Sequence, residues 1–391
     1  MFCQPNPHKK NEISGAITWV VTPSEIEALC KHLECETVIA VDTESDSLFS
    51  YFEKVCLLQV STQEMDYIVD PLALRDTNGI ASFGTVFADE KIEKIFHATQ
   101  YDILCLKRDY GFEFRNVFDT MVAARILGWK NVGLGNVLQE QFGILLDKKM
   151  QRTNWGHRPL TAQQIDYAAK DTHHLIALRR LQINELEKLG RLEEAYEEFD
   201  RLTRVQPVTR CFNPNAYWKI RGAKELDQNS LGVLRELFRF RDKQARKENR
   251  PVFKVIPDHT LLSIASIYPR TTQDLLLIHG ISHHTVQLYG HAILDAIDRG
   301  YATPQTTEPC LPSNSQLPFD IAARVRLARL KDWRRQRAIA RGVDTDVIVS
   351  NDVLFATARE NPQTIDAFTV ASNLGKWKLK EYGEEIMEVL K

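Results

Sequence analysis

A chain of 391 residues is too long for one ordinary core, and 43% hydrophobic against 26% charged residues is a globular composition, so two or three domains are expected. Fifty Lys and Arg against 52 Asp and Glu leave a formal net charge of −2, which excludes a global attraction to nucleic acid and leaves only local patches for it. No apolar run approaches the roughly 18 residues a membrane helix needs, and the opening MFCQPNPHKKNE lacks the apolar core of a signal peptide, so a soluble cytoplasmic protein without membrane partners is expected.

The cysteines, Cys3, Cys30, Cys35, Cys56, Cys105, Cys211 and Cys310, are scattered, with no C-x-x-C and no Cys/His cluster of zinc spacing. In chain order, TPSEIEALCKHL carries Thr22 as N-cap, Pro23 at the first helical position and Glu25 three after the cap, a capping box that opens a helix. Val38 to Val41 then form an apolar run of a strand covered on both faces. It ends in Asp42 and Glu44, whose side chains leave the same face of a pleated strand, and like charges held so close repel unless a cation lies between them. An isolated D-x-E is more commonly a turn cap beside a solvated Glu, so other acids decide the matter.

KVCLLQVST from Lys54 and MDYIVD from Met65 are spaced as a hairpin. KIFHA from Lys94 resumes the alternation, TQYDILCLKRDYG reads as a helix, and NVFDT as a short strand. MVAARILG and LGNVLQEQFG are helical, the loop LDKKMQRTNWGHRPL follows, and a second capping box, Thr161 with Gln164, opens the helix TAQQIDYAAKDTHHLIALRRL. This is an α/β pattern. The acidic NELEKLGRLEEAYEEFD from Asn184 reads as a solvated connecting helix.

Beyond about residue 205 the strands vanish and a repeat appears. Leu234, Arg241, Ala245, Leu261, Ala265, Pro269, Tyr289 and Ile293 recur at an offset of 93 residues as Leu327, Arg334, Ala338, Leu354, Ala358, Pro362, Tyr382 and Ile386. The expected division is therefore an α/β domain over 1–205, a helical module over 216–300, a linker rich in Pro, Ser and Thr over 301–318, and a second module over 319–391.

Asp102 lies on the first turns of a helix leaving a strand, and Tyr167 and Asp171, four apart, share one helix face. Each alone has an ordinary reading: a helix N-terminal charge, a core tyrosine, a solvated aspartate. Together with Asp42 and Glu44 they make a carboxylate set suited to two Mg²⁺ or Mn²⁺ ions, which prefer hard oxygen ligands. Two such ions about 4 Å apart clamp the attacking and leaving oxygens of a phosphoryl displacement, with a tyrosine hydroxyl orienting the water.

VDTE, FHATQYDILCL followed by FDT, and YAAKD resemble the three exonuclease motifs of the DEDD superfamily, tyrosine type, and specifically of ribonuclease D. The loop LDKKMQRTNWGHRPLT resembles the segment before the third motif, and the two C-terminal modules resemble HRDC domains. The resemblance runs from about residue 16 to the end. It implies a ribonuclease H-like mixed sheet with helices on both faces, followed by two all-α modules, and stepwise release of 5′-mononucleotides from RNA 3′ ends by a monomer acting on tRNA precursors or other structured RNA. By motif, Asp42, Glu44, Asp102 and Asp171 resemble the ligands of two divalent ions and Tyr167 the residue positioning the water. The histidine subtype would place its His where this chain has Asp166. His97, His173 and His174 match no catalytic pattern and are expected to pack or face solvent.

Lys148, Lys149, Arg152, Trp155, His157 and Arg158 crowd one loop, offering cations for phosphates and an aromatic for stacking, although Trp155 and Pro159 equally suit pinning that loop to the core. In the modules, RFRDKQARKENR has six basic against two acidic residues and RVRLARLKDWRRQRAIAR eight against one. From these, Arg241, Arg246, Arg334 and Arg335 are candidate RNA contacts. DNA as the substrate, or a non-catalytic binding module, are the alternatives. Relatives in the nuclear exosome resemble this chain with an additional N-terminal domain, whereas here the fold is expected to begin almost at once.

Overall fold

The structure, a computed structural model, describes residues 17–74, 77–207, 211–305 and 320–391. The opening MFCQPNPHKKNE and most of the 301–318 stretch lie outside the described residues. The described chain forms two compact units: residues 17–45, 55–207 and 320–391 in one, Asp46–Lys54 and 211–305 in the other. These boundaries fall at different places from the domain boundaries read in the sequence.

The α/β part is a six-stranded mixed sheet of order β1-β4-β3-β2-β5-β6, from β1 (Ile17–Val20), β2 (Val38–Ser45), β3 (Val55–Ser61), β4 (Asp66–Val69), β5 (Glu93–Phe96) and β6 (Val117–Asp119). β3 runs antiparallel to β2 and β4; the other pairs are parallel. β1 was not legible in the sequence, because a four-residue edge strand is too short to show alternation.

Helix α1 (Pro23–Leu33) starts on the expected capping box, Thr22 Oγ1 accepting the Glu25 N–H while the Glu25 carboxylate accepts the Thr22 N–H at 2.9 Å. Two short helices, α2 (Thr77–Ile80) and α3 (Phe83–Ala88), precede β5. Then follow α4 (Gln100–Tyr110), α5 (Thr120–Leu127), α6 (Leu134–Phe142), α7 (Ala162–His173), α8 (Leu175–Lys188) and α9 (Leu192–Thr203). Ile39, Val41, Leu58 and Val60 point into the core shared with α1 and α4, while Leu57 points to the face shared with α7. Helices thus cover both faces. The segment from Thr161, expected as one helix, is two: the chain breaks at His174. The physical reason is anchorage, since Thr172 and His173 are tied to Ser61 and Asp66 of the hairpin while α8 turns away to pack on α5 and β5.

The two helical modules share one plan. α10 (Gln228–Glu248), α11 (Val252–Val255), α12 (Asp258–Ile267), α13 (Thr272–Leu276) and α14 (His283–Ala302) build the first. α15 (Ile321–Arg341), α16 (Thr345–Ile348), α17 (Asn351–Glu360), α18 (Ile365–Ser372) and α19 (Lys376–Leu390) build the second, each starting 93 residues after its counterpart, as 321 − 228 = 93 for the first pair. Arg241 is buried, donating to Ile256 O at 3.0 Å and to the Asp258 carboxylate at 2.6 Å; Arg334 likewise donates to Val349 O at 2.9 Å and Asn351 Oδ1 at 3.0 Å. These guanidiniums tie two helices together and are turned away from solvent, which corrects the expectation that they contact RNA.

The second module packs on the α/β part within its unit. Glu194 of α9 is fully buried and accepts from Arg341, whose carbonyl accepts from Arg191 at 2.8 Å. Glu197 accepts the Trp377 N–H at 2.7 Å, and Glu198 pairs with Lys378 at 2.7 Å. The acidic stretch expected as a solvated connector is therefore a docking surface, because its carboxylates meet cations and helix N–H groups of the second module. Gly128 is required where the two meet: its φ is +85°, and a Cβ there would lie 2.3 Å from the Gly342 carbonyl oxygen. In the first module the position equivalent to Arg341 is Glu248, which accepts from the Tyr289 hydroxyl at 2.8 Å, whereas Arg341 donates to the hydroxyl of Tyr382. In the other unit, the segment Asp46–Lys54 packs on the first module, with the Tyr51 hydroxyl donating to Asp242 at 2.8 Å and Lys254 Nζ 3.8 Å from the centre of the Phe49 ring.

Replacing one partner of a buried ion pair leaves an uncompensated charge, at a cost of about 3–5 kcal/mol. Arg341→Glu should therefore lower the unfolding free energy measured in urea by that order, and the charge-swapped pair Glu194→Arg with Arg341→Glu should recover part of the loss. A single variant as stable as the parent chain would show that this pair does not hold the second module.

Candidate active site

Strand β2 lies inside the sheet, and its last residues are held by the ladder with β3, while β5 pairs with Val38–Ala40 just before them. Asp42 pairs in register with Gln59 and Glu44 with Leu57, and the register shifts between Glu44 and Ser45. Helix α7 crosses the same face and brings Tyr167 and Asp171, one turn apart, over it. One carboxylate oxygen from each of Asp42, Glu44 and Asp171 lies within 4.8 Å of the others. Asp102, in the first turn of α4, is buried and accepts the hydroxyl of Thr43, the residue between Asp42 and Glu44. A cavity of about 510 Å³ opens on these groups, with Asp42, Glu44, Tyr167 and Asp171 on one wall and His97, Met121 and Leu134 among its other residues. That volume is within the range of about 300–1,000 Å³ typical of ligand sites.

The acids are all held above the usual carboxylate range. Burial, then the charges of Asp102, Asp171 and Glu44, push Asp42 well up. Burial followed by Asp171 and Asp102 takes Glu44 to about 9. Asp102 is raised to about 7 by burial, against the opposing hydrogen bond from Thr43, and Asp171 to about 7 by burial, against that from Tyr167. Tyr167 is raised by burial and by the neighbouring carboxylates, so its hydroxyl stays protonated. Among the described residues no Lys or Arg lines the cavity. Oxygen donors this close, with no side-chain cation to balance them, have the chemistry of a site for hard divalent ions.

A family model described as 3′-5′ exonuclease matches residues 17–187, and one described as HRDC domain matches 230–297 and 323–390. Ribonuclease D of Gluconacetobacter diazotrophicus is 29% identical over 313 residues, covering 80% of this chain and 79% of that protein. The chain thus carries a 3′-5′ exonuclease domain followed by two HRDC domains and is similar to ribonuclease D over most of its length. The exosome complex component 10 homolog of Caenorhabditis elegans is 34% identical over 257 residues, 65% of this chain, which spans only 29% of that relative's length. The crystal structure of Escherichia coli RNase D, 23% identical, matches with a TM-score of 0.66 over 96% of this chain and 98% of that one, a likeness of fold. Among the described residues no helix is long and apolar enough to cross a membrane.

Within this family fold the loop before α7 divides its residues between packing and solvent. Trp155 is 1% exposed and packs with Tyr167, their ring centres 6.1 Å apart, so the expectation that it stacks on bases is corrected in favour of pinning the loop. Arg158 is committed to Asp70 at 2.6 and 2.8 Å and to Cys56 O at 2.8 Å, which corrects its expected phosphate contact for the same reason. Lys149 and Arg152 are exposed, and their neighbour Gln151 lines the cavity; of Lys148 only the backbone, opening a short 3-10 helix, is described. In the modules Arg246 and Arg335 are exposed. His97, expected to pack or face solvent, lines the cavity and is fixed by Thr120 at 2.8 Å. His173 is bonded to Asp66 at 2.8 Å, which raises it, while burial and His173 lower His174 to about 4.

Sequence reading passed over Thr43, which aims Asp102, and Asp119, whose carboxylate accepts the N–H groups of Ala98, Thr99, Met121 and Val122. Asp119 thereby holds Ala98 at a φ of +65°, a left-handed conformation that a residue with a Cβ rarely adopts. The FDT motif was the available signal: an Asp ending a strand and capping the next helix.

Because the metal-free folded chain keeps protons on Glu44 up to about 9 and on Asp102 and Asp171 up to about 7, it binds more protons than the unfolded chain, whose carboxylates titrate near 4. The contribution of these groups to stability is full below about pH 4 and is lost as pH rises through about 7 to 9. A divalent ion needs the deprotonated carboxylates, so the increase in melting temperature caused by Mn²⁺ should grow between about pH 5 and pH 9 and proton uptake by the buffer should accompany binding. Asp42→Asn or Asp171→Asn should raise the melting temperature without metal, shrink the Mn²⁺ increment and lower turnover by more than about 10²-fold. Calorimetry with and without Mn²⁺ across pH tests all of this, and a Mn²⁺ increment independent of pH would contradict it.

Proposed function

We propose that this chain removes 5′-mononucleotides stepwise from the 3′ end of RNA in the cytoplasm, as a monomer, its substrates being tRNA precursors or other structured RNA. The observation that carries the reading is the meeting of Asp42, Glu44 and Asp171 beneath Tyr167 in one cavity, with Asp102 alongside. Asp42, Glu44, Asp102 and Asp171 would hold two divalent ions, Mg²⁺ or Mn²⁺. Bound there, such ions supply electrostatic stabilisation to the attacking and leaving oxygens of an in-line displacement.

The chain's own residues do the rest. Tyr167, kept protonated, offers its hydroxyl to orient the attacking water and is itself fixed by the packing of its ring on Trp155. His97, Met121 and Leu134 offer an apolar and aromatic surface for the terminal nucleoside, and Asp119 sets the backbone of the turn that carries His97 and Ala98. Lys149 and Arg152 supply charge for the phosphates entering the cavity.

Tyr167→Phe keeps the ring and loses the hydroxyl, so turnover should fall by about 10²-fold, far more than Mn²⁺ affinity changes. The assay is degradation of matched 3′-labelled single-stranded RNA, single-stranded DNA and duplexes with Mg²⁺ or Mn²⁺. Release of mononucleotides from the RNA 3′ end supports the proposal; preference for DNA, or a Phe variant as fast as the parent, overturns the corresponding part of it.

The modules' exposed cations, Lys243, Arg246 and Lys247 in the first and Arg324, Arg329 and Arg335 in the second, are proposed to hold the body of a structured RNA. Reversing them should spare cleavage of a short oligonucleotide and weaken tRNA binding, reducing the slope of log affinity against log salt by about 0.7–0.9 per lost phosphate contact. A slope unchanged by reversal would assign that charge to solvation alone.

A further inference from the structure

The segment Asp46–Lys54 joins β2 to β3 and belongs with the first module, and its polar groups fix its course. The Asp46 carbonyl accepts the N–H groups of Phe49 at 2.7 Å and Ser50 at 2.9 Å, while its carboxylate accepts from the Ser50 hydroxyl and from Lys54 Nζ, each at 2.6 Å. The Phe52 N–H donates to Asn249 Oδ1, at the end of α10, at 2.9 Å. A connection tied at so many points is held in one shape, yet it leaves the Phe52 ring 54% exposed. A ring that open adds little to the core.

Cations accompany the rings. The Arg246 guanidinium carbon lies 5.8 Å from the centre of the Phe52 ring, and Lys254 Nζ 3.8 Å from that of Phe49. Both cations are exposed, and among the described residues neither forms an ion pair. The acids of the same elements are committed elsewhere: Asp46 to Lys54, Asp242 to the Tyr51 hydroxyl, and Glu248 to Arg250 and the Tyr289 hydroxyl. The shared helical plan does not call for these cations. At the offset of 93 residues the second module has Ile339, which is exposed, and Val347, which is buried, in their places.

We propose that Phe52, with Arg246 and Lys254 beside it, is a stacking platform for an unpaired stretch of the RNA substrate: a base lies on the exposed ring and the two cations meet the phosphates. The proposal rests on the reading of the chain as an enzyme acting on RNA. A single strand alternates flat bases with negative phosphates, which is what an open ring set between two cations can hold. A duplex keeps its base faces in the stack and cannot use the ring. Stacking is tolerant of sequence, so the platform takes unpaired strand whatever its bases.

The test uses the full chain in EDTA, with a fluorescent unstructured RNA and an abasic strand of the same length as probes. Phe52→Ala should weaken binding of the RNA by about 5-fold or more and leave binding of the abasic strand unchanged, whereas Phe52→Tyr should keep the parent affinity. Arg246→Gln should weaken both probes and reduce the slope of log affinity against log salt by about 0.7. Should Phe52→Ala fold poorly, Phe52→Leu, apolar without an aromatic face, supplies the comparison. Undiminished RNA affinity in the Ala or Leu variant would overturn the proposal and leave the ring to a protein contact. An equal loss on RNA and abasic strand would overturn it too, because the ring would then act only by holding the cations in place. A parent chain that neither binds the RNA nor, with Mn²⁺ restored, degrades it would overturn the reading as an RNA enzyme, whereas a parent that does both beside an unaffected Phe52→Ala overturns this inference alone.

Discussion

Carboxylates whose oxygens lie within 4.8 Å of one another, in a site where burial strips away much of their water, repel unless they keep protons or share a cation. The α/β part is arranged to impose that repulsion. Asp42 and Glu44 are set by the β2–β3 ladder, Asp171 is carried on α7, whose C-terminal end is bonded to the hairpin through Thr172 and His173, and Asp102 is aimed by Thr43. The consequence is a site whose carboxylates, without a cation, are held above the ordinary range, which is the chemistry of a set of donors for hard divalent ions.

The same logic of fixed backbone and committed side chains governs the loop before α7. Trp155 and Arg158 look, by residue type, like nucleic-acid contacts, but one fills the core under Tyr167 and the other neutralises Asp70. Their contribution to the site is indirect: they hold the loop and Tyr167 in place. Lys149 and Arg152 are left to face solvent.

The two modules show how one helical plan carries two different surfaces. Their buried arginines, Arg241 and Arg334, do the same structural job 93 residues apart. The corner at Glu248 in one is the corner at Arg341 in the other, and only the arginine can meet the buried Glu194 of α9. A glutamate in that position would set a second carboxylate against the buried Glu194, so the arginine is what fits the second module to α9.

The sequence by itself determined the class of fold, the capping boxes at Thr22 and Thr161, the β3–β4 hairpin, the helical repeat and the acids with their tyrosine, because each is written locally: in an alternation, a cap spacing, or a motif of a few residues. What the tertiary structure decided is what depends on a second segment. Whether an arginine faces phosphate or a carbonyl, as for Arg241 and Arg334, is set by the loop it packs against, and whether the acidic run at α9 is solvated is set by a module more than a hundred residues away. The break at His174 and the burial of Trp155 follow from contacts with the hairpin. Local pattern fixes direction along the chain; long-range packing fixes which atoms each side chain meets.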